Sequence, residues 1–282
     1  MTAEAALACS VRECGLPLAR HERSYVCAAG HSFDVARSGY VNLLQPQDRR
    51  SLNAGDSKAA VEARAALDRV GVGHAVINAV IDKIGTLQLR ADGGAPVAVD
   101  LGCGSGEMLE RLCRDGPMSG IGIDLSVAAV DFAARRFPGL TWIVANADRR
   151  LPLRDSGIDV VLSIYGRRNP AECARVLTST GILVVTLPAA DDLIELRQLV
   201  QGQGVERDRV DGMLHEHNAD FQLVERLLVR QQLTLERDAL LNVLRGTYRG
   251  VRFTLSDRVN AIDRMEVTLS SELCVMKRKG SG

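Results

Sequence analysis

The segment Val99-Asp100-Leu101-Gly102-Cys103-Gly104-Ser105-Gly106 constrains this chain more than any other. An apolar run, Val97–Leu101, contains an acidic residue near its end; three glycines at alternate positions follow, and an amphipathic stretch begins at Met108. Such a run reads as a buried strand turning sharply into a helix. Glycine takes backbone angles that side chains forbid, and it lets a ligand touch the main chain. The free N–H groups of the following helix suit an anionic group. Dinucleotide sites space their glycines G-x-G-x-x-G; here the spacing is G-x-G-x-G. Downstream, Gly120–Ile123, Thr141–Val144, Val160–Ile164 and Ile182–Leu187 are short runs bounded by Gly, Asp or Pro, with helical patterns at Met108–Cys113, Ala128–Arg136 and Pro170–Leu177. This alternation predicts an α/β fold with a parallel sheet covered on both faces. Phe221–Leu235 and Glu266–Met276 are two further strand candidates that can pair as an antiparallel edge, and Lys277–Gly282 reads as a disordered tail.

The 282 residues divide into three blocks. Residues 1–45 are rich in Cys, Gly and His. Residues 46–95 are polar, then helical, with apolar stripes through Ala59, Val61, Ala63, Ala66, Leu67 and Val70 and through Val76, Ile77, Val80, Ile81 and Ile84. Residues 96–282 hold the strand–helix alternation. Lys+Arg and Asp+Glu balance at 35 each, so net charge does not announce a nucleic-acid partner and any basic surface is local. No apolar run approaches the ~18 residues of a membrane span, and the N-terminus lacks the pattern of a secretory signal. A cytoplasmic location with reduced thiols is expected, so the seven cysteines point to metal binding or burial.

Two further acidic positions extend the Gly turn into a site. Ile121-Gly122-Ile123-Asp124 reads as the second strand, with a terminal carboxylate able to accept two ribose hydroxyls. The third strand runs into Val144-Ala145-Asn146-Ala147-Asp148, where Asn146 and Asp148 compete to reach an adenine amino group; Asp148 reads equally as a solvated loop residue or helix cap. The acid-led turn resembles that of S-adenosylmethionine-dependent methyltransferases. The resemblance implies a Rossmann-like class I fold with a mostly parallel, seven-stranded sheet. It also implies cofactor contacts at Asp100, Gly102, Gly104, Ser105, Gly106, Asp124, Leu125, Asn146, Ala147 and Asp148.

Cys9, Cys14, Cys27 and His31 form C-x4-C-x12-C-x3-H, with Gly15 and Gly30 beside ligands where tight turns are needed. Three thiolates and an imidazole complete a tetrahedral structural zinc site with no open position. His21 is an alternative ligand, and Cys103, Cys113, Cys173 and Cys274 lie in core patterns. A segment this short buries little apolar area, so a metal is expected to hold it together as a module whose core is separate from the rest.

The string Gly30-His31-Ser32-Phe33-Asp34-Val35-Ala36-Arg37-Ser38-Gly39-Tyr40-Val41-Asn42-Leu43-Leu44, with the cysteines, Gly55-Asp56-Ser57, the Gly turn and Arg168-Asn169-Pro170, closely resembles the bacterial 23S rRNA guanine-N1-methyltransferases. That family includes housekeeping and macrolide-resistance enzymes. The likeness implies that the zinc module helps hold a large-subunit rRNA hairpin while a flipped guanine enters the pocket. The chain departs from the pattern in four places. The first cysteine gap is longer, a Tyr common in the linker region is replaced near Gly73, Gly166-Arg167 replaces Ala-Pro, and a Pro and a Trp are missing near residues 247–252.

N1 of guanine must lose a proton, so a base or a water chain is useful; Asp34, Asp56 and Asp148 are the candidates. Arg37, Arg49, Arg50, Arg167 and Arg168 are candidate phosphate contacts, with an ordinary charged surface as the plain alternative, and Tyr40 and Tyr165 are candidate stacking residues. A homodimer is compatible with the sequence. A small-molecule methyltransferase that kept the zinc module, or a non-catalytic cofactor- or RNA-binding homologue, would carry the same motifs.

Overall fold

The computed structural model describes residues 2–48, 55–90, 94–114, 116–201, 209–247 and 259–280. Strands β1 (Leu18–His21), β2 (Ser24–Cys27) and β3 (Ser32–Asp34) form a small antiparallel sheet. After β4 (Val41–Asn42) come helices α1 (Lys58–Arg69) and α2 (His74–Gly85). The alternating unit follows: β5 (Val97–Leu101), α3 (Glu107–Arg114), β6 (Ser119–Asp124), α4 (Val127–Arg136), β7 (Thr141–Val144), β8 (Ile158–Ile164), α5 (Pro170–Val176) and β9 (Leu177–Pro188). Helices α6 (Ile194–Gln201) and α7 (Val210–His217) precede the long strand β10 (Phe221–Glu236), helix α8 (Arg237–Thr247) and strand β11 (Arg264–Arg278).

The main sheet has the order β10-β11-β9-β8-β5-β6-β7-β4. The pairs β9–β8, β8–β5, β5–β6, β6–β7 and β7–β4 are parallel, and β11 pairs antiparallel with both β9 and β10. Seven of these strands coincide with the seven apolar runs of the sequence. The eighth, β4, is only two residues long and binds the β7 edge through Val41–Ile143 and Asn42–Val144. Central strands β5 and β6 are buried almost throughout, as parallel strands covered on both faces must be. The crossovers are short helices with ordinary caps: Ser126 Oγ accepts from Ala129 N, and Asn169 Oδ1 accepts from Glu172 N just before Pro170.

Two expectations are corrected. The N-terminal module does not have a core of its own. Leu7, Leu18, Tyr25 and Cys27 belong to one continuous apolar cluster with Val41, Leu43, Leu151, Leu153 and the sheet residues Val99 and Ile121. Backbone bonds close the seam, from Ala8 N to Pro152 O at 2.9 Å and from Arg154 N to Ala6 O at 2.8 Å. Arg175 stiffens the receiving loop by donating to the carbonyls of Leu151 and Leu153 at 2.9 and 2.8 Å. A small module gains more stability by burying its apolar residues against a neighbour than by leaving them on a separate, thin core. The segment from Lys277 is also not simply a tail: β11 runs to Arg278, and Lys279 N donates to Asp220 O at 2.8 Å.

Candidate active site and metal centre

The Gly turn joins β5 to α3 with φ of +82°, +55° and +89° at Gly102, Gly104 and Gly106, a left-handed region that favours glycine. Trp142 of β7 packs beneath it: a Cβ on Gly106 would lie 2.6 Å from the indole. Asp124, at the end of β6, organises the turn. One carboxylate oxygen accepts from Gly104 N at 3.0 Å and the other from Ser126 N at 2.8 Å. Each oxygen keeps lone-pair capacity for a further donor. Burial pushes the Asp124 pKa up, against the pull of these amides.

Asp100 is 2% exposed and its Oδ1 has no hydrogen-bond partner among the described residues. Burial and the facing charge of Asp124 raise its pKa to about 7. A buried carboxylate oxygen without a donor is costly, and it sits beside a turn whose glycines leave the main chain open. The ammonium of a methionine moiety supplies a donor with charge of the right sign, and the ribose hydroxyls supply donors for Asp124. The residues therefore fit S-adenosylmethionine, which when bound supplies a methyl group on a sulfonium.

A strap closes over this site. Gly55 and Asp56 lie against the Asp124–Ser126 turn: Ser126 Oγ donates to Asp56 O at 2.7 Å, and a Cβ on Gly55 would stand 2.6 Å from Ser126 N. Arg64 of α1 ion-pairs with Asp56 and donates through Nη2 to Gly246 O on α8 at 2.9 Å. Sequence reading singled out Gly55-Asp56-Ser57 but missed Arg64, because nothing local distinguishes it from other helical arginines.

The remaining candidates divide. Asn146 uses its amide within the fold, donating from Nδ2 to Asp48 O at 2.9 Å and accepting from Asp148 N at 3.0 Å. Asp148 ion-pairs with Arg167 at 2.8 Å, so the loops after β7 and β8 meet. Leu125 and Ala147 are half-buried beside Asp124 and Asn146, and Ser105 is buried in the turn. Asp34 is exposed at the end of β3, in the other sheet, and Arg37 is exposed on the turn that follows. Arg49 and Arg50 lie outside the described residues, as do residues 248–252. Tyr165 has φ of +55° and a half-exposed ring, with its hydroxyl bonded to Ser271 Oγ; Tyr40 packs on the sheet.

The departure at Gly166 has a steric reason. A Cβ there would lie 2.2 Å from Leu101 O, so the loop after β8 presses on the end of β5 and admits no alanine without moving.

Cys9, Cys14, Cys27 and His31 converge, with their ligand atoms all within 4.8 Å of one another. His31 Nδ1 lies 3.5 Å from Cys9 Sγ and 3.4 Å from Cys27 Sγ, and Cys14 Sγ lies 3.9 Å from Cys27 Sγ. Zinc–thiolate bonds of about 2.3 Å in a tetrahedron separate sulfurs by about 3.8 Å, so the donor set fits zinc. Within the longer first gap, Glu13 takes a left-handed conformation at φ +64°, and Gly15, at φ +62°, turns the chain just after Cys14. His21 stands on β1, outside this group.

Residues 8–52 match the protein family described as "RlmA, N-terminal", a zinc ribbon, and residues 98–181 match a methyltransferase domain family. The 23S rRNA (guanine(748)-N(1))-methyltransferase of Streptomyces fradiae is 38% identical over 235 residues, covering 82% of this chain and 81% of that protein. The chain belongs to the 23S rRNA (guanine-N1)-methyltransferase family. A putative 23S rRNA (guanine-N(1)-)-methyltransferase of Bacillus subtilis, YxjB, is 37% identical over 186 residues and 63% of each chain. The YcgJ protein of Bacillus subtilis shares the fold, with a TM-score of 0.50 at 17% identity over 73% of this chain and 99% of that one. As a member of the family the protein is an S-adenosylmethionine-dependent methyltransferase of class I fold with a structural zinc site. No helix among the described residues is long and apolar enough to cross a membrane.

Proposed function

We propose that the enzyme methylates N1 of a guanine in a 23S rRNA hairpin in the cytoplasm. The relative from Streptomyces fradiae carries this reading, because its identity extends over most of both chains. The architecture supports it: the module of residues 1–45 is welded to the loop that leaves the cofactor-side strand β7, so an RNA held by one is within reach of the other. In this reading residues 1–45 recognise RNA, residues 46–95 are a helical linker region, and residues 96–282 bind cofactor and carry the chemistry. Asp100, Gly102, Gly104, Ser105, Gly106, Asp124 and Leu125 hold S-adenosylmethionine, with Asn146, Ala147 and Asp148 on its adenine side. Arg37 and Arg167 meet phosphates, and Tyr165 stacks on the extruded base. Asp56 and Asp148 are the candidate acceptors for the N1 proton, through water; each is held in place by an arginine, Arg64 and Arg167.

The product loses its Watson–Crick edge and stops reverse transcriptase. Primer extension and nucleoside mass spectrometry on 23S rRNA from cells with and without the gene are expected to show one N1-methylguanosine that depends on it. Identical content in both strains, together with no modification of rRNA or ribosomal subunits by purified enzyme, would overturn the proposal. Macrolide susceptibility of the same pair of strains tests a resistance role. A homodimer is the second part of the proposal: β10 is an outer edge strand exposing Leu223, Val224, Leu227 and Leu228, and such an edge favours pairing with another copy.

A further inference from the structure

Arg168 leaves the end of β8 and turns inward between α5 and α7. Its Nε donates to His217 Nε2 at 3.0 Å, and its Nη1 donates to Gly166 O at 3.3 Å. Neither acceptor carries charge. Arg64, Arg90, Arg111 and Arg175, which are also partly buried, each hold a carboxylate, but Arg168 has none within ion-pair distance among the described residues. The groups that act on it through space are Glu216 of α7, Cys173 of α5 and Cys274 of β11; burial raises both thiols, which stay neutral.

His217 is 1% exposed, and its Nδ1 donates to Met213 O at 2.7 Å. That bond fixes the proton on Nδ1 and leaves Nε2 as the acceptor for Arg168. Protonating His217 would set two N–H groups against each other. Glu216 and Asp220 favour that protonation, while burial and the Arg168 charge oppose it.

A partly buried cation held only by neutral acceptors is complementary to charge that develops during a reaction. The loop it anchors touches the cofactor turn: a Cβ on Gly102 would lie 3.3 Å from Gly166 Cα. Tyr165, three residues earlier, is held in a left-handed conformation of the kind that accumulates at functional sites. In guanine methylation, N1 loses its proton to water and its electron pair forms the new bond to the methyl carbon. The old bonding pair remains on sulfur, giving S-adenosylhomocysteine. The charge released at N1 is shared with O6.

We propose that Arg168 is a catalytic residue that binds guanine O6 as N1 loses its proton, and that His217 is the positioning residue that aims it. The proposal rests on the guanine-N1 reading above. It moves Arg168 from the phosphate contacts to the base, because exposed arginines suit a solvated backbone and a half-buried, uncompensated one suits an extruded base.

The test uses the full-length zinc-loaded enzyme and 23S rRNA from cells lacking the gene, with Arg168→Gln, Arg168→Lys, His217→Gln and His217→Phe. Arg168→Gln is expected to lower kcat about a hundredfold while leaving KM for RNA, S-adenosylmethionine affinity and the salt slope of RNA binding unchanged. Its kcat–pH curve should shift to higher pH, because the bound guanine loses the charge that favours N1 deprotonation. His217→Gln, which retains an acceptor, should keep more activity than His217→Phe. Cofactor affinity reports whether each variant is folded, and Arg168→Lys keeps the charge should the glutamine variant not fold. Unchanged kcat in the Arg168 variants would overturn the proposal. So would weakened RNA binding with a salt slope reduced by about one and kcat intact, the outcome of a phosphate contact. Wild-type enzyme that leaves 23S rRNA unmodified would remove the guanine reading itself.

Discussion

At Asp100, one buried carboxylate oxygen lacks a donor among the described residues, and burial beside Asp124 raises the pKa from 3.8 to about 7. The native protein therefore keeps a proton on Asp100 that the unfolded chain releases above pH 3.8, and the ligand-free enzyme loses stability as pH rises from 3.8 towards 7. A cationic amine placed opposite reverses the preference. Cofactor binding near pH 7 is expected to release up to about half a proton, and affinity should rise with pH between about 6 and 8. Calorimetry in buffers of different ionisation enthalpy measures this; Asp100→Asn should abolish the release, and wild type releasing none would remove Asp100 from the site. At Gly166 the constraint is volume. Gly166→Ala places a methyl 2.2 Å from Leu101 O and should cost about 1–3 kcal/mol of stability. Gly139→Ala, where a Cβ meets nothing within 4 Å, is the control in thermal melts.

Among the elements, β10 has the least balanced surroundings. One edge pairs with β11 through fifteen register positions from Phe221–Arg278 to Glu236–Arg264, and the other is the outer edge of the sheet. Leu223 and Val224, then Leu227 and Leu228, place apolar side chains in water. Light scattering of the purified protein is expected to give a dimer, and Leu228→Lys should shift it to monomer without changing cofactor affinity, since like charges meeting across a two-fold edge repel. A monomeric wild type would show that this edge has no second copy as its partner. Helices α7 and α8 escaped sequence reading for a related reason. Each carries only a short apolar period, Val210 and Met213 on α7 and Leu240, Val243 and Leu244 on α8, too brief to separate from a strand or loop by period alone; the long-range bonds Arg168–His217 and Arg64–Gly246 that tie them in are invisible in the sequence.

Over the whole molecule, the shared apolar cluster couples zinc to catalysis. If the module had its own core, stripping the metal would unfold only the first 45 residues. Instead Leu7, Leu18 and Tyr25 pack with Leu151, Leu153 and the sheet. Loss of zinc, by chelation or by Cys27→Ser, is expected to lower the melting temperature of the entire protein in a single transition and to weaken S-adenosylmethionine binding. Differential scanning calorimetry and cofactor titration check both. Two separate transitions, with the upper one unmoved, would restore independent modules. Deleting residues 1–45 removes β4 and exposes Leu151 and Leu153, so loss of RNA methylation in that truncation cannot be separated from loss of fold; ligand variants are the cleaner probe.

The sequence by itself determined the features that short-range geometry writes into neighbouring residues. Apolar runs at strand length, glycines at alternate positions after Asp100, a carboxylate closing the next strand and ligands paired around tight turns each need only a few bonds of chain to define them. The seven long-sheet strands, the Gly turn and the Cys–Cys–Cys–His set were legible for that reason. The tertiary structure alone decided what those features face. It set Asn146 against the carbonyl of Asp48, joined Asp148 to Arg167, left an oxygen of Asp100 without a donor and turned Arg168 onto His217. It also merged the zinc module with the sheet, because apolar side chains bury against whatever surface the fold brings near, and that surface lies over a hundred residues away along the chain.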